Sequence, residues 1–111
     1  MKIAIPTVND ELCMHFGHCE KFIIFETNEA KEIIATEKLT PPPHEPGVLP
    51  KWLKGEGADV IIAGGMGMRA QDLFAASGVK VYTGAPTGSA QAIVEAFLND
   101  SLVTGVNACD H

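Results

Sequence analysis

The apolar run Val60-Ile61-Ile62-Ala63 constrains the fold of this chain more than any other feature. Its four residues lack the alternation of polar and apolar side chains that marks a strand with one exposed face. Such a run predicts a parallel strand that is buried on both faces. The glycine-rich segment Gly64-Gly65-Met66-Gly67 follows at once, and Ala70, Leu73 and Phe74 then recur at helical spacing. A strand, a tight turn and a helix are therefore predicted, which places the chain in the α/β class.

The other elements follow from the same periodicities. Strands are predicted at residues 2–6, 22–25, 32–36 and 79–82, and helices over about 49–55 and 90–98. Thr87 or Ser89 could cap the last helix. The predicted order is β β β α β α β α, a mixed five-stranded sheet with an antiparallel hairpin. Its first strand is expected in the centre, between the hairpin and the strand at 60–63.

Length and composition narrow the class of protein. A chain of 111 residues corresponds to a single domain over residues 1–111, with a proline-rich loop at 40–47 and a tail at 103–111. The net charge of −6 opposes binding to a phosphate backbone, so no nucleic-acid partner is expected. The longest apolar run is far too short to cross a bilayer, so we expect no membrane partner and a cytoplasmic location.

The expected topology creates a crevice. If the strands at 2–6 and 60–63 are parallel neighbours, their connections leave in opposite directions and open a cleft beyond their carboxyl ends. Two unusual segments would meet there, a loop at 7–19 and the glycine turn at 64–68.

The first of these segments carries metal-binding residue types. Cys13, His15, His18 and Cys19 offer thiolate and imidazole ligands, which soft or borderline metals prefer. Their spacing differs from that of structural zinc sites, which take ligand pairs from two separate knuckles, and suits an open site. The thiols could instead be small buried hydrophobes. Cys109 and His111 repeat the pairing in the tail, either as a frayed end or as additional metal ligands.

The second segment favours an anion. The residues after Gly64 match G-x-G-x-x-A between a strand and a helix, but no acidic residue follows at the next strand end, as a dinucleotide site requires. The backbone N–H groups, the helix N-terminus and Arg69 would attract negative charge. Alternatively, the glycines only permit a tight turn, with Gly67 at positive φ. Met66 and Met68 could bind a soft metal or could fill the core.

A family resemblance covers residues 2 to about 102. It is carried by Met1-Lys2-Ile3-Ala4-Ile5-Pro6-Thr7, by His15-Phe16-Gly17-His18 with Phe22, and by Val60-Ile61-Ile62-Ala63-Gly64-Gly65-Met66-Gly67. Together these resemble the dinitrogenase iron-molybdenum cofactor biosynthesis family of NifX-like and orange-protein-like small domains.

The resemblance implies a ribonuclease-H-like three-layer fold and a non-catalytic role. Such a protein would bind an anionic metal–sulfur cluster, either iron–sulfur or molybdenum-containing, and exchange it with donor and acceptor proteins. The resemblance implies that His15 and the loop around it face the cluster. With the residues of the glycine turn, the predicted cofactor-binding set is His15, Phe16, Gly17, His18, Gly64, Gly65, Met66, Gly67, Met68 and Arg69. The candidate metal ligands are Cys13, His15, His18, Cys19, Cys109 and His111.

Other functions are weighed against this one. A ribonuclease-H-type nuclease would need a carboxylate cluster, and residues 2–6 contain no acid. A thiol oxidoreductase would favour Cys-x-x-Cys, whereas five residues separate Cys13 from Cys19. The main alternative is a small zinc or copper sensor that uses the Cys13–Cys19 loop without sulfide.

Overall fold

A computed structural model describes residues 1–13, 19–42, 47–86 and 88–102. Within these ranges four strands precede the first helix, and strands and helices then alternate. The elements are β1 (Lys2–Val8), β2 (Glu11–Leu12), β3 (Lys21–Thr27), β4 (Ile33–Leu39), α1 (Val48–Gly55), β5 (Val60–Ile62), α2 (Met68–Ala76), β6 (Lys80–Tyr82) and α3 (Ala90–Leu98). The predicted helices and longer strands are present, with ends that differ by a few residues.

The described strands form one mixed sheet with β1 near its centre. The strand order is β4-β3-β1-β5-β6, and β2 pairs separately with β1. β3 lies antiparallel to β1 and β4, whereas β5 lies parallel to β1 and β6. The hairpin, the central first strand and the parallel neighbour at 60–62 are therefore confirmed.

The prediction of five strands was wrong, because the described part of the sheet has six. β1 continues through Pro6 to Val8, and a turn at Asn9 and Asp10 leads into β2. Both turn residues have positive φ, 54° and 66°, as a tight two-residue hairpin requires. Residues 7–8 and 11–12 are thus strand rather than loop. Two residues carry no readable periodicity, so the sequence pattern could not indicate β2.

Two apolar clusters lie on opposite faces of the sheet. α1 and α2 cover the first face through Leu49, Leu53 and Phe74, and α3 covers the second through Ile93 and Val94. The two clusters contain 13 and 12 buried residues, so each face of the sheet is covered by an apolar core. Ile61 belongs to the first cluster and Ile62 to the second. This division confirms that β5 is buried on both faces and gives the described chain three layers.

The N-cap residues Gly47 and Ser89 mark the starts of α1 and α3. The Ser89 Oγ accepts a hydrogen bond of 3.2 Å from the backbone N–H of Ala92, which confirms Ser89 as the cap of α3. α1 begins after Gly47, whose φ of 81° favours glycine. Part of the predicted proline-rich loop, residues 43–46, lies outside the described residues, as do residues 103–111 of the tail. Among the helices described, none is long and apolar enough to cross a membrane.

Candidate functional site

The neighbour of β1 changes along its length, at the place where the crevice is predicted. On the side away from β3, Ile3 and Ala4 pair with β5, whereas Thr7 and Val8 pair with β2. Pro6 lies between these two pairings and has no N–H to donate to a neighbouring strand. The connections from β1 and β5 leave toward opposite edges of the sheet, so this is a topological switch point. The strand arrangement from which the crevice is predicted is therefore present at the carboxyl ends of β1 and β5.

The turn after β5 is tied to the turn after β6. The backbone N–H of Gly84 donates to the carbonyl oxygen of Gly64 at 2.8 Å, and that of Ala85 donates to Ala63 at 3.3 Å. Gly84 has a φ of 77°, a conformation that side chains other than glycine rarely adopt. The segment after Tyr82 was not among the predicted site residues. Its repeated glycines, Gly84 and Gly88, were the available signal.

β2 and the start of α3 form another wall of the crevice. The backbone N–H of Leu12 donates to the carbonyl oxygen of Gly88 at 2.8 Å, and that of Ala90 donates to Asp10 at 3.1 Å. An isolated bridge between Glu11 and Ser89 lies beside these bonds. β2 is therefore held between β1 and the segment before α3. No sequence pattern pointed to this wall.

The glycine turn after β5 is partly buried and partly open. Gly64, Gly65 and Met66 are buried, and Met66 belongs to the core cluster on the α1 and α2 face. The side-chain amide Nε2 of Gln71 donates to the carbonyl oxygen of Met66 at 2.8 Å, which anchors the turn to α2. The structure thus places the thioether of Met66, a candidate ligand for a soft metal, inside the core.

Gly67 precedes α2 as its N-cap. Gly67 has no side chain with which to cap this helix, the first turn contains no acidic residue, and Met68 and Arg69 are exposed. The first N–H groups of a helix and its dipole attract an anion. The expectation of positive φ at Gly67 was wrong, because its φ is −64°, and a Cβ added there would meet only open space within 4 Å. Glycine is therefore not required there by backbone geometry.

Cys13 and Cys19 are buried thiols of the same core cluster, with exposed fractions of 7% and 8%. Burial, with a smaller contribution from the nearby Cys13, raises the pKa of the Cys19 thiol to about 12. Cys19 is therefore protonated at neutral pH and must lose a proton to bind a metal. The buried-hydrophobe interpretation and the ligand interpretation both remain compatible with this placement.

The two cysteines flank a segment that lies outside the described residues, namely residues 14–18 with His15, Phe16, Gly17 and His18. The backbone N–H of Cys13 donates to the carbonyl oxygen of Pro6 at 2.9 Å, and the backbone N–H of Glu20 donates to the carbonyl oxygen of Thr7 at 2.8 Å. Both ends of the segment are thus fixed to the carboxyl end of β1. Cys109 and His111 also lie outside the described residues. Within the described ranges, no group of three His, Cys, Asp or Glu side chains could hold a metal ion.

Comparison with known proteins identifies a family model and a relative. The family model described as dinitrogenase iron-molybdenum cofactor matches residues 1–100. An uncharacterized protein of Methanocaldococcus jannaschii is 33% identical over 106 residues, which covers 92% of this chain and 89% of that protein.

Solved structures show the same architecture. The crystal structure of PH0822 superimposes with a TM-score of 0.86 at 30% identity, covering 94% of each chain. The apo form of the orange protein from Desulfovibrio gigas gives a TM-score of 0.73 at 22% identity, covering 96% of this chain and 93% of that one. At that identity the second likeness concerns the fold.

Proposed function

Because the chain belongs to the dinitrogenase iron-molybdenum cofactor family, we propose that it binds an anionic metal–sulfur cluster and hands it to an acceptor protein without catalysing a reaction. The carrying observation is the topological switch point at the carboxyl ends of β1 and β5, where the N-terminus of α2 and two buried thiols lie at the same end of the sheet. We assign the fold to the ribonuclease-H-like type as part of this proposal, with one domain over residues 1–111.

The anion-binding side of the proposed site is formed by α2. Its first N–H groups follow Gly67, which has no side chain to cap them, and Arg69 adds an exposed positive charge. A sulfide-rich cluster carries delocalised negative charge, which such a helix terminus stabilises. Gly64, Gly65, Met66 and Met68 would shape this side, with Met66 acting through its backbone because its side chain lies in the core.

The ligand side is formed by the segment between Cys13 and Cys19. His15 and His18 are proposed to face the cluster, with Phe16 and Gly17 beside them, because both ends of the segment are fixed at the carboxyl end of β1. Imidazole and thiolate bind iron, copper and other borderline or soft metals. Cys109 and His111 are proposed as further ligands from the tail.

An exchangeable cargo fits this division of roles. The spacing of Cys13, His15, His18 and Cys19 differs from that of a structural zinc site, which takes ligand pairs from two separate knuckles. A cluster held by a helix terminus and few side-chain ligands can be passed on, whereas a closed tetrathiolate would retain it. Cluster donor and acceptor proteins in the cytoplasm are the proposed partners.

Anaerobic reconstitution tests the function. The protein is incubated with iron or with molybdate and copper, in each case with sulfide, and then separated by gel filtration, and metal and acid-labile sulfide are counted in the protein peak. We expect a visible charge-transfer band with bound sulfide in the natural protein, and loss of both in His15→Ala. His44→Ala is the matched control, because His44 is a histidine of this chain that is not among the proposed ligands.

Two results would contradict the proposal. Metal bound without sulfide would instead favour a zinc or copper sensor, and a protein peak without metal would exclude carriage of any of the clusters offered. Equal retention by His15→Ala, His18→Ala and their double variant would remove the histidine segment from the site. Circular dichroism of each variant separates loss of cargo from loss of fold.

A further inference from the structure

The outer edge of β6 ends the described sheet. Across residues 1–13, 19–42, 47–86 and 88–102, β6 pairs with β5 and with no other strand. The N–H of Lys80 donates to the carbonyl oxygen of Asp59 at 3.0 Å, and the carbonyl oxygen of Tyr82 accepts from Ala63 at 2.9 Å. Backbone groups of successive strand residues point alternately to the two sides. The N–H and carbonyl of Val81, between these two residues, therefore point away from β5.

A groove lies on each side of this edge. Toward α2, a cavity of about 510 Å³ is lined by Met68, Ala75, Val79 and Val81 among others. Toward α3, a cavity of about 280 Å³ is lined by Tyr82, Phe97, Asp100 and Leu102. The Met68 side chain is 60% exposed beside the first groove. A strand added to β6 projects successive side chains to opposite faces of the sheet, so the side chains on each face have a groove to enter.

The charges at this edge complement each other across a two-fold axis. If a second strand runs antiparallel with Val81 opposite Val81, Lys80 lies opposite the partner's Tyr82. The groove beside that tyrosine contains the partner's Asp100. Lys80 is exposed, and the side chain of Asp100 is 86% exposed although it lies 3.6 Å from Lys31 of its own chain. Such an exposed ion pair contributes little, so Asp100 can still attract a second lysine. The axis generates this pairing of opposite charges twice, which favours a second copy over an unrelated strand.

We propose that a second copy of this chain binds at the outer edge of β6, antiparallel about Val81, with Lys80 of each copy placed against the partner's Tyr82 and Asp100. The dimer extends the sheet from one copy into the other. Because the joined strands are antiparallel, the two crevices at the carboxyl ends point in opposite directions. Each crevice therefore stays open, and the proposal does not depend on what the crevice binds.

Sedimentation equilibrium of the full chain tests the interface. Because β6 is short, the dimer is expected to be weak, and association should appear between about 10 μM and about 1 mM, where a Kd near 10⁻⁴ M is measurable. Lys80→Glu and Asp100→Lys should each raise the Kd about tenfold or more, through like-charge repulsion across the axis. The double variant restores opposite charges and should recover the original Kd. Lys51→Glu on α1 is the matched control, since Lys51 is an exposed lysine away from this edge.

A second variant tests the backbone contact. Val81→Pro removes the outward N–H and leaves the hydrogen bonds of Lys80 and Tyr82 to β5 in place, so it should abolish the dimer while the fold survives. A monomer throughout the concentration range would overturn the proposal. A dimer unaffected by either charge variant, or a double variant that remains as weak as the single ones, would overturn it equally. The charge variants decide the outcome if Val81→Pro fails to fold.

Discussion

The backbone N–H of Gly84 donates a hydrogen bond of 2.8 Å to the carbonyl oxygen of Gly64, so the turns after β5 and β6 are held together at the carboxyl edge of the sheet. Gly64 begins the glycine turn that leads into α2, and Gly84 begins the segment that leads toward α3. One hydrogen bond thus connects the walls contributed by the two helices on opposite faces. The shape of the crevice depends on it.

Gly84→Ala is the first test of this connection. Gly84 has a φ of 77°, so an added Cβ should cost about 1–3 kcal/mol of unfolding free energy or force the turn to shift. Gly67→Ala is the matched control, because Gly67 has a φ of −64° and open space around it, and it should cost less than about 1 kcal/mol. Urea denaturation measures both changes. Equal losses in the two variants would contradict the role assigned to the backbone of Gly84.

Because of Cys19, the unfolding free energy of the protein should fall at alkaline pH. Its pKa is raised from 9.0 to about 12 in the folded protein, chiefly by burial. The stabilising contribution is fully present below pH 9 and is lost as the pH rises toward 12, because the unfolded thiol ionises first. Above pH 9 the natural protein should lose up to about 1.4 kcal/mol per pH unit relative to Cys19→Ala.

Denaturation of both proteins between pH 7 and pH 11 measures this difference. Contributions from groups remote from residue 19 are the same in both proteins, so they cancel when the two free energies are subtracted. A constant difference across the whole range would show that Cys19 does not stay protonated in the folded state. Cys19→Ser serves as a second reference, since its hydroxyl does not ionise in this range.

The sequence pattern predicted the parts of the fold that follow from burial. The unbroken apolar run of β5 and the helical spacing in α3 each indicate one arrangement, and both are present. β2 could not be predicted, because Glu11 and Leu12 become a strand only by pairing with β1 on one side and contacting the segment before α3 on the other. Such pairing is tertiary and leaves no periodic signal in two residues.

The site was predictable to a similar extent. The glycine turn and the Cys13–Cys19 segment were expected at one crevice, and the structure places both ends of that segment and the turn at the carboxyl edge. The burial of Met66 and of both thiols could not be deduced, because a sulfur-containing side chain serves equally well as core or as ligand. The conformation of Gly67 was also out of reach, since a glycine is compatible with either sign of φ.

The tail offers a prediction about ligands. Leu102 packs with Tyr82 near the carboxyl end of β6, and the tail residues 103–111 follow it. A chain of seven residues can extend over about 23–25 Å, so Cys109 can reach the crevice from Leu102. The double variant Cys109→Ser, His111→Ala should therefore lower cluster retention after reconstitution while its unfolding free energy stays within about 0.5 kcal/mol. Unchanged retention would remove the tail from the proposed ligand set.

Arg69 tests the anion-binding side of the crevice separately from the ligands. It lies exposed in the first turn of α2, where its charge adds to the attraction of the helix terminus for a cluster. Arg69→Gln should weaken retention about two- to fivefold, the effect of roughly 0.4–1 kcal/mol expected for one exposed charge near a helix end. Lys54→Gln removes an exposed positive charge from the last turn of α1 and is the matched control.

Competition of the loaded protein against a fixed concentration of chelator measures retention. The loss caused by Arg69→Gln should shrink as salt is raised, because salt screens the interaction. An equal loss in both variants would indicate a general effect of net charge, and the assignment of α2 as the anion-binding side would then be wrong.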